Sequence, residues 1–234
     1  MAKIRNANPK NSSGGFVRMI GNEQLATIFT KAQSTVITNG TELEKIITER
    51  AKPVLDLDKF IEDCENLKVE NGTYLCSKKV VKASSYKLAH HEPDFLALTV
   101  NVAKNICYVV ELKDGFSFDT KKSVAEKEML QVFVNHIAPK IPFRTKYYIC
   151  CFNQSDKGMI EDGFKGVFSS DEILTGREFC EILGIDYDAI VNMRNKDCAD
   201  NLQYVLEKLT EIKEVCDAVT SVKRKRIIEN EFYD

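Results

Sequence analysis

The 234-residue chain lacks several features that would each define a class of protein. It has no Trp and only three His, and no hydrophobic run approaches the roughly 20 residues that cross a bilayer. Its 33 Lys and Arg nearly balance its 35 Asp and Glu, so a net charge of −2 excludes an overall cationic field for polyanions. Any nucleic-acid surface must therefore be local. The polar start also lacks the apolar segment of a signal peptide, which predicts a cytoplasmic protein with no membrane partner.

The eight Cys show no paired spacing. None forms a C-x-x-C, and a chain of this length without a secretory signal needs no disulfide to fold, so we expect reduced thiols. A zinc site has little support, because structural zinc normally shows paired ligand spacing. The remaining composition, 44% hydrophobic and 29% charged, is that of a globular protein with a core of its own.

The first part of the chain predicts a basic arm followed by helices. Residues 1–22 carry Lys and Arg but no acidic residue, which is typical of a flexible basic arm. Helical spacing follows, and Asn39-Gly40 indicates a break in it. Thr41 and Glu44 are placed as a capping box, which predicts a second helix after that break.

Residues 90–152 are the most informative stretch. DFLALTVNV and NICYVVELK are rich in β-branched and aromatic residues and are separated by a turn, which predicts a β-hairpin. KKSVAEKEMLQVFVNHIA has helical spacing and KYYICCF is a continuous apolar strand, so the predicted order is strand, strand, helix, strand. Residues 73–82 before this stretch favour short edge strands. Residues 156–234 after it favour helices, with a long amphipathic one over 201–219.

Charged side chains come together at one end of the predicted hairpin. A two-residue period puts Glu111 and Lys113 on one face of the second strand, and the position of the turn brings Asp94 close to them. The apolar run before Glu111 indicates a neighbouring core, where an unpaired charge costs several kcal/mol. A divalent cation held by Asp94, Glu111 and the carbonyl oxygen of Leu112 would compensate for these buried charges. A site with few protein ligands and several bound waters is typical of Mg²⁺. Lys113 would orient the attacking water or assist its deprotonation, an arrangement that suits phosphodiester hydrolysis.

The acidic-x-Lys pattern is weak by itself, because it recurs at residues 119–121 and 211–213. Glu211 belongs to the predicted long helix, where a solvated face is sufficient, and Asp119 is placed to cap the next helix. A Glu and a Lys two apart on a strand are most often a surface ion pair worth under about 1 kcal/mol. Only Glu111 follows an apolar strand and has a Pro-Asp on the paired strand, which favours a functional site.

Pro93-Asp94 followed by Glu111-Leu112-Lys113 resembles the PD-(D/E)XK nuclease superfamily, and the run ELKDGFSFDTKKS looks like the type II restriction endonucleases. The resemblance implies an α/β (α+β) fold with a restriction-endonuclease-like core, a central mixed β-sheet flanked by helices. It also implies sequence-specific, Mg²⁺-dependent cleavage of double-stranded DNA. The predicted organisation is a single endonuclease domain over 1–234, with the basic arm at 1–22, a catalytic core at 90–152 and a helical C-terminal region at 156–234.

The resemblance also implies roles for individual residues. Asp94 and Glu111 would be metal ligands, and Lys113 would orient the water. Many members use a further glutamate from an N-terminal helix, for which Glu44 and Glu49 are candidates. Cutting both strands of a palindrome favours a two-fold homodimer, and a restriction enzyme implies a cognate DNA methyltransferase as its functional partner.

Basic side chains near the predicted site are candidates for contacts with the DNA backbone. The stretch SKKVVKASSYKLAHH leads directly to Asp94, although lysines on a strand edge also guard against aggregation. Lysines at the start of a helix are mildly unfavourable unless an anion binds there. The two lysines that begin the helix after FSFDT therefore favour a bound phosphate at that position. A basic cluster at 223–226 is more simply a solvated helix end. The candidates are Lys121, Lys122, Lys82, Lys87 and His91.

Two other functions stay open. The chain could be a non-catalytic DNA-binding module with a nuclease-like fold, or a repair or junction-resolving nuclease of the same superfamily. The complete set of Asp94, Glu111 and Lys113 favours an enzyme, because a binding module has no need of all three.

Overall fold

The computed structural model describes residues 1–9 and 14–231, with side chains as far as residue 223. Its described residues form one mixed sheet flanked by helices, as the family resemblance implied. The strands are β1 (Gly72–Ser77), β2 (Phe95–Val100), β3 (Ile106–Lys113), β4 (Arg144–Cys151) and β5 (Ile173–Thr175).

The sheet has the order β1-β2-β3-β4-β5. The β1–β2 and β2–β3 pairs are antiparallel, whereas the β3–β4 and β4–β5 pairs are parallel. The β2–β3 pair is the hairpin predicted from the sequence, and its register sets Phe95 opposite Val110. One residue further along each strand, Asp94 and Glu111 therefore meet at the same end of the sheet.

The helices are α1 (Gly14–Ile20), α2 (Glu23–Arg50), α3 (Leu57–Glu65), α4 (Lys78–Ala83), α5 (Thr120–Ile137), α6 (Lys157–Gly163), α7 (Gly176–Leu183), α8 (Tyr187–Thr210) and α9 (Lys213–Glu231), with short 3₁₀ turns at Ile4–Asn6, Ala138–Lys140 and Ser170–Glu172. The helix between β3 and β4 begins as predicted, because the Asp119 side chain accepts a hydrogen bond from the Lys122 backbone N–H at 3.0 Å. Its buried positions Leu130, Phe133 and Ile137 recur at helical spacing and join the core beneath the sheet. The predicted order of strand, strand, helix, strand is confirmed.

The chain divides into two compact units. Leu43–Ile190 contains the whole sheet and the largest buried side chains, and it includes the predicted catalytic core. Met1–Glu42 and Val191–Asp234 form the other unit. Part of the predicted basic arm has structure there, because the Met1 amine lies 2.7 Å from an Asp197 carboxylate oxygen. The predicted single domain over 1–234 remains a prediction.

The predicted helix break at Asn39-Gly40 is wrong, because α2 continues through it. A glycine inside a helix costs only about 1 kcal/mol relative to alanine. Leu43 and Ile47, both fully buried, lie on the inner face of the turns that follow, and packing of this face outweighs the cost. Thr41 and Glu44 accordingly form no capping box, since they lie within the helix.

Two further predicted elements are wrong in extent. Residues 73–82 give one strand and then α4, because the pairing of β1 ends where Ser77 meets Phe95, and Pro93 has no N–H to continue the ladder. The predicted helix over 201–219 is divided between α8 and α9, where the chain turns and buries Ile212. The structure also has a helix, α1, within the stretch predicted as a flexible arm, and a short strand, β5, within the region predicted to be helical.

All eight Cys are free thiols, in agreement with the prediction, and the adjacent Cys150 and Cys151 are buried strand core. Among the described residues, no helix is long and apolar enough to cross a membrane. The basic side chains predicted at 224–226 lie outside the described part of the chain.

Candidate active site

Asp94 lies at the end of the sheet and extends its hydrogen bonding with its side chain. Its carboxylate is buried, and Oδ2 accepts a hydrogen bond from the backbone N–H of Leu112 at 3.0 Å. Its own carbonyl accepts from the backbone N–H of Lys78 at 2.9 Å. These bonds connect Asp94 to β3 and to the residue that directly follows β1, so the position of its carboxylate is determined by the sheet.

Glu111 and Lys113 share one face of β3, as the two-residue period predicted. The Lys113 ammonium donates to Glu111 Oε1 at 2.9 Å. It donates also to Oε1 of Glu126, on the second turn of α5, at 2.8 Å. Only 17% of the Lys113 side chain is exposed, so its ammonium is held between two carboxylates.

The Glu111 carboxylate is strongly destabilised as a charged group. Burial raises its pKa to about 8; repulsion from Asp94 also raises it, while Lys113 acts in the opposite direction. Its second oxygen, Oε2, is buried and has no hydrogen-bond partner among the described residues. An orphaned buried carboxylate oxygen beside a second carboxylate is a position at which a cation would be stabilised.

The structure distinguishes the two candidate glutamates of the N-terminal helix. Glu44 is half-buried, and its pKa is raised by burial and by repulsion from Asp94, while Lys78 and Lys113 lower it. Its charge therefore interacts with the charges of the cluster. Glu49 is exposed and lies 3.9 Å from Lys45, one turn earlier on the same helix.

Lys78 is a second ammonium in the cluster. It begins α4 directly after β1, and its Nζ lies 3.1 Å from Asp94 Oδ1. Burial lowers its pKa, but the carboxylates of Asp94, Glu111 and Glu44 outweigh this and raise it. Sequence reasoning placed Lys78 only in a general basic stretch.

The donor set suits a divalent cation, although it is not ready-made. In the described part of the chain, no three His, Cys, Asp or Glu side chains stand close enough together to hold a metal. Two of the ligands that the resemblance implies, Asp94 and Glu111, instead carry ammonium partners. The Leu112 N–H already points to Asp94, and because N–H and C=O of one strand residue point to the same edge, its carbonyl faces that side too. Hard oxygen donors and the orphaned Oε2 of Glu111 fit Mg²⁺.

The other predicted residues lie on the surface. Lys121 and Lys122 are exposed at the start of α5, where Lys122 Nζ lies 3.5 Å from the capping Asp119. Lys82 and Lys87 are exposed, and His91 Nδ1 is 2.9 Å from the carbonyl oxygen of Ala89.

Sequence reasoning missed Glu126 and the contact made by Lys78. A signal for Glu126 existed, because it lies on the helix face that also carries Ser123 and Leu130, both buried. An acidic residue between two inward-facing positions is expected to have a cationic or hydrogen-bonding partner. Lys78 gave no such signal, since it faces Asp94 only because β1 ends where it does.

Comparison with known proteins identifies the class: the chain belongs to the type II restriction enzymes. The relative that shows this is the type II restriction enzyme HhaII of Haemophilus parahaemolyticus, which is 47% identical over 225 residues, or 94% of this chain and 98% of that enzyme. No protein-family model matches the chain, and no solved structure matches it. The chain is accordingly a sequence-specific endonuclease with an α/β fold.

Proposed function

We propose that this endonuclease cuts both strands of DNA with a PD-(D/E)XK active site, in which Asp94 and Glu111 hold Mg²⁺. The Leu112 carbonyl and Glu44 would complete the protein ligands. The observation that carries the proposal is the buried, partnerless Oε2 of Glu111 beside Asp94, within the residues that have described side chains. A purely structural role gives no reason to keep such an oxygen, because a buried polar atom without a hydrogen-bond partner costs about 1–3 kcal/mol.

The residues of the chain have distinct parts in hydrolysis. A bound Mg²⁺ supplies a Lewis acid that polarises a phosphoryl oxygen and acidifies water. Asp94 is fixed by the Leu112 N–H, so it presents its carboxylate without rearrangement of the sheet. Lys113 donates to two carboxylates, which supports the role of a donor that orients the attacking water. Glu126 holds that lysine from α5.

The assembly and the partners follow from the chemistry. One site of Asp94, Glu111 and Lys113 serves one strand, so cutting both strands needs two chains, and a two-fold homodimer implies a palindromic or nearly palindromic site. Lys121, Lys122, Lys82, Lys87 and His91 would add salt-dependent affinity for phosphates without choosing bases. A cognate methyltransferase would protect host DNA, and both proteins would work in the cytoplasm.

The test is to incubate the purified protein with long unmethylated DNA and Mg²⁺ and to sequence the ends of the products. We expect discrete fragments whose ends share one short motif, cut at fixed positions on both strands. EDTA should abolish the reaction. The solution mass of the active species should be that of a dimer.

Each alternative gives a different result. Random ends would contradict a restriction enzyme, and cleavage confined to junctions or damaged duplexes would indicate a repair nuclease. Sequence-specific binding without any cleavage in Mg²⁺ would indicate a binding module. Normal cleavage by the Glu111→Ala protein would remove Glu111 from the site.

A further inference from the structure

Lys78 occupies an unusual position, because both its backbone and its side chain bind the same aspartate. Its N–H donates to the Asp94 carbonyl at 2.9 Å, and its Nζ lies 3.1 Å from Asp94 Oδ1. The first contact follows from the sheet, since Ser77 is the last β1 residue paired with β2. The second contact is not determined by the sheet, because the side chain of a lysine at the start of a helix can equally point to solvent.

The contact uses the one Asp94 oxygen that the sheet leaves free. Oδ2 is committed to the Leu112 N–H, so Oδ1 is the oxygen that a cation would bind. Lys78 binds it with a single positive charge. The carboxylates of Glu111 and Glu44 also act on the charge of this ammonium, so all three acidic residues of the proposed metal site favour its charged form.

We propose that Lys78 is an internal counter-ion, which holds Asp94 in the metal-free enzyme and is exchanged for the divalent cation. The proposal rests on the proposed function, since it concerns the same site. An ammonium and a metal ion on one carboxylate oxygen would lie within a few ångströms of each other and repel strongly in a partly buried site. Binding of the cation therefore requires the Lys78 side chain to leave.

Of the two ammonium groups in the site, Lys78 is the one that can move. Its side chain is 39% exposed, and Asp94 is the only carboxylate within ion-pair distance of it among the described side chains. Lys113 is 17% exposed and is held at 2.9 Å by Glu111 and at 2.8 Å by Glu126. The flexible four-carbon stem of Lys78 can swing into solvent while its backbone stays in α4.

The exchange predicts that Lys78 weakens metal binding. We would titrate the DNA-free protein with Mg²⁺ by calorimetry and compare wild type with Lys78→Met, Lys78→Arg and Lys79→Met. Lys79 is the exposed neighbour on the same helix and serves as the matched control. We expect Lys78→Met to bind Mg²⁺ about tenfold more tightly, because a competing charge pair is removed. Lys78→Arg and Lys79→Met should bind close to wild type.

The outcomes separate this proposal from the function on which it rests. If wild type binds Mg²⁺ and Lys78→Met binds it equally or more weakly, Lys78 is a structural partner of Asp94 and the proposal is overturned. If neither protein binds Mg²⁺, the proposed metal site itself fails. Binding by Lys78→Met alone would support both.

A second measurement uses the unmodified protein and so does not depend on whether a variant folds. Brief acetylation of lysines, read by mass spectrometry, reports how accessible each ammonium is. Mg²⁺ should raise the acetylation rate of Lys78 about two- to threefold, because the ammonium leaves the carboxylates for solvent. Lys79 and Lys113 should keep their rates. An unchanged rate for Lys78 at saturating Mg²⁺ would overturn the exchange.

Discussion

Glu111 and Glu172 are glutamates of the same unit with opposite surroundings. Glu111 has one oxygen bound to Lys113 and one that lacks a partner in the described structure. Glu172 has its charge met on both oxygens: Oε1 accepts from the Tyr147 hydroxyl, and Oε2 accepts from Lys127 at 2.7 Å and from the Ser169 N–H at 3.0 Å.

The pKa values follow this difference. Burial raises the pKa of Glu111 to about 8, and repulsion from Asp94 and Glu126 adds to this effect while Lys113 opposes it. Burial also acts to raise the pKa of Glu172, but hydrogen bonds from Lys127, Tyr147 and Ser169 lower it to about 2. A carboxylate with a structural role has both oxygens paired, whereas a carboxylate in an active site keeps one oxygen available to bind a ligand. A Glu→Gln substitution should therefore change the stability of the protein in opposite directions at Glu111 and at Glu172.

The largest expected effect is on cleavage by Glu111→Ala. We expect a loss of at least about 10³-fold in the single-turnover rate with Mg²⁺, because a cation ligand is removed, and Asp94→Ala should behave alike. Both proteins should keep the wild-type circular dichroism. Glu172→Gln is the matched control, and its rate should stay within about threefold of wild type at temperatures where it is folded. Equal losses in the Glu111 and Glu172 variants would remove the distinction between the clusters.

Lys113 and Lys127, which pair with Glu111 and Glu172 respectively, should differ in their effects on cleavage and on stability. Lys113→Ala should lower the cleavage rate by about two to four orders of magnitude, as for a group that assists proton transfer. Lys127→Ala removes the partner of Glu172, so it should lower the unfolding temperature and leave cleavage near normal. Single-turnover rates and thermal melts of both proteins test this. A change below threefold in Lys113→Ala would reduce that lysine to an ion-pair partner.

Glu172→Gln should destabilise the protein by about 2 kcal/mol at pH 7, because Lys127 loses its charged partner. The folded pKa of about 2 is below the ordinary 4.5, so this stabilisation is complete above about pH 5 and is lost as the pH falls toward 2. Urea unfolding of both proteins between pH 3 and 7 measures the difference. A difference that grows as the pH falls would contradict the assignment.

Glu111→Gln should have the opposite and smaller effect. We expect it to raise the free energy of unfolding by about 1 kcal/mol in EDTA at pH 7.5. Folding of the wild type at this pH must either protonate Glu111, whose folded pKa is about 8, or bury its charge beside Asp94, and a glutamine avoids both costs. Urea unfolding of the metal-free proteins measures the change. A loss of stability like that of Glu172→Gln would mean that Glu111 is a structural ion-pair residue.

The hairpin and its three charged residues could be predicted because the information is local. A period of two, a turn and an apolar run suffice to bring Asp94 to Glu111. The partners Lys78 and Glu126 come from α4 and α5, and their contacts depend on where β1 ends and how α5 packs. Likewise, Asn39-Gly40 gave a correct local signal for a break, but the buried face that continues through Leu43 and Ile47 outweighed it. Tertiary packing decided each of these differences.

The most direct test of the contrast between the two glutamates is the thermal shift caused by Mg²⁺ in wild type, Glu111→Gln and Glu172→Gln. A ligand that binds only the folded state raises its stability by about 2.7 kcal/mol at a hundred times its dissociation constant. We expect saturating Mg²⁺ to raise the Tm of wild type and of Glu172→Gln by similar amounts and to leave that of Glu111→Gln almost unchanged. An equal rise in all three proteins would show that Mg²⁺ does not bind at Glu111, and would contradict the proposed metal site.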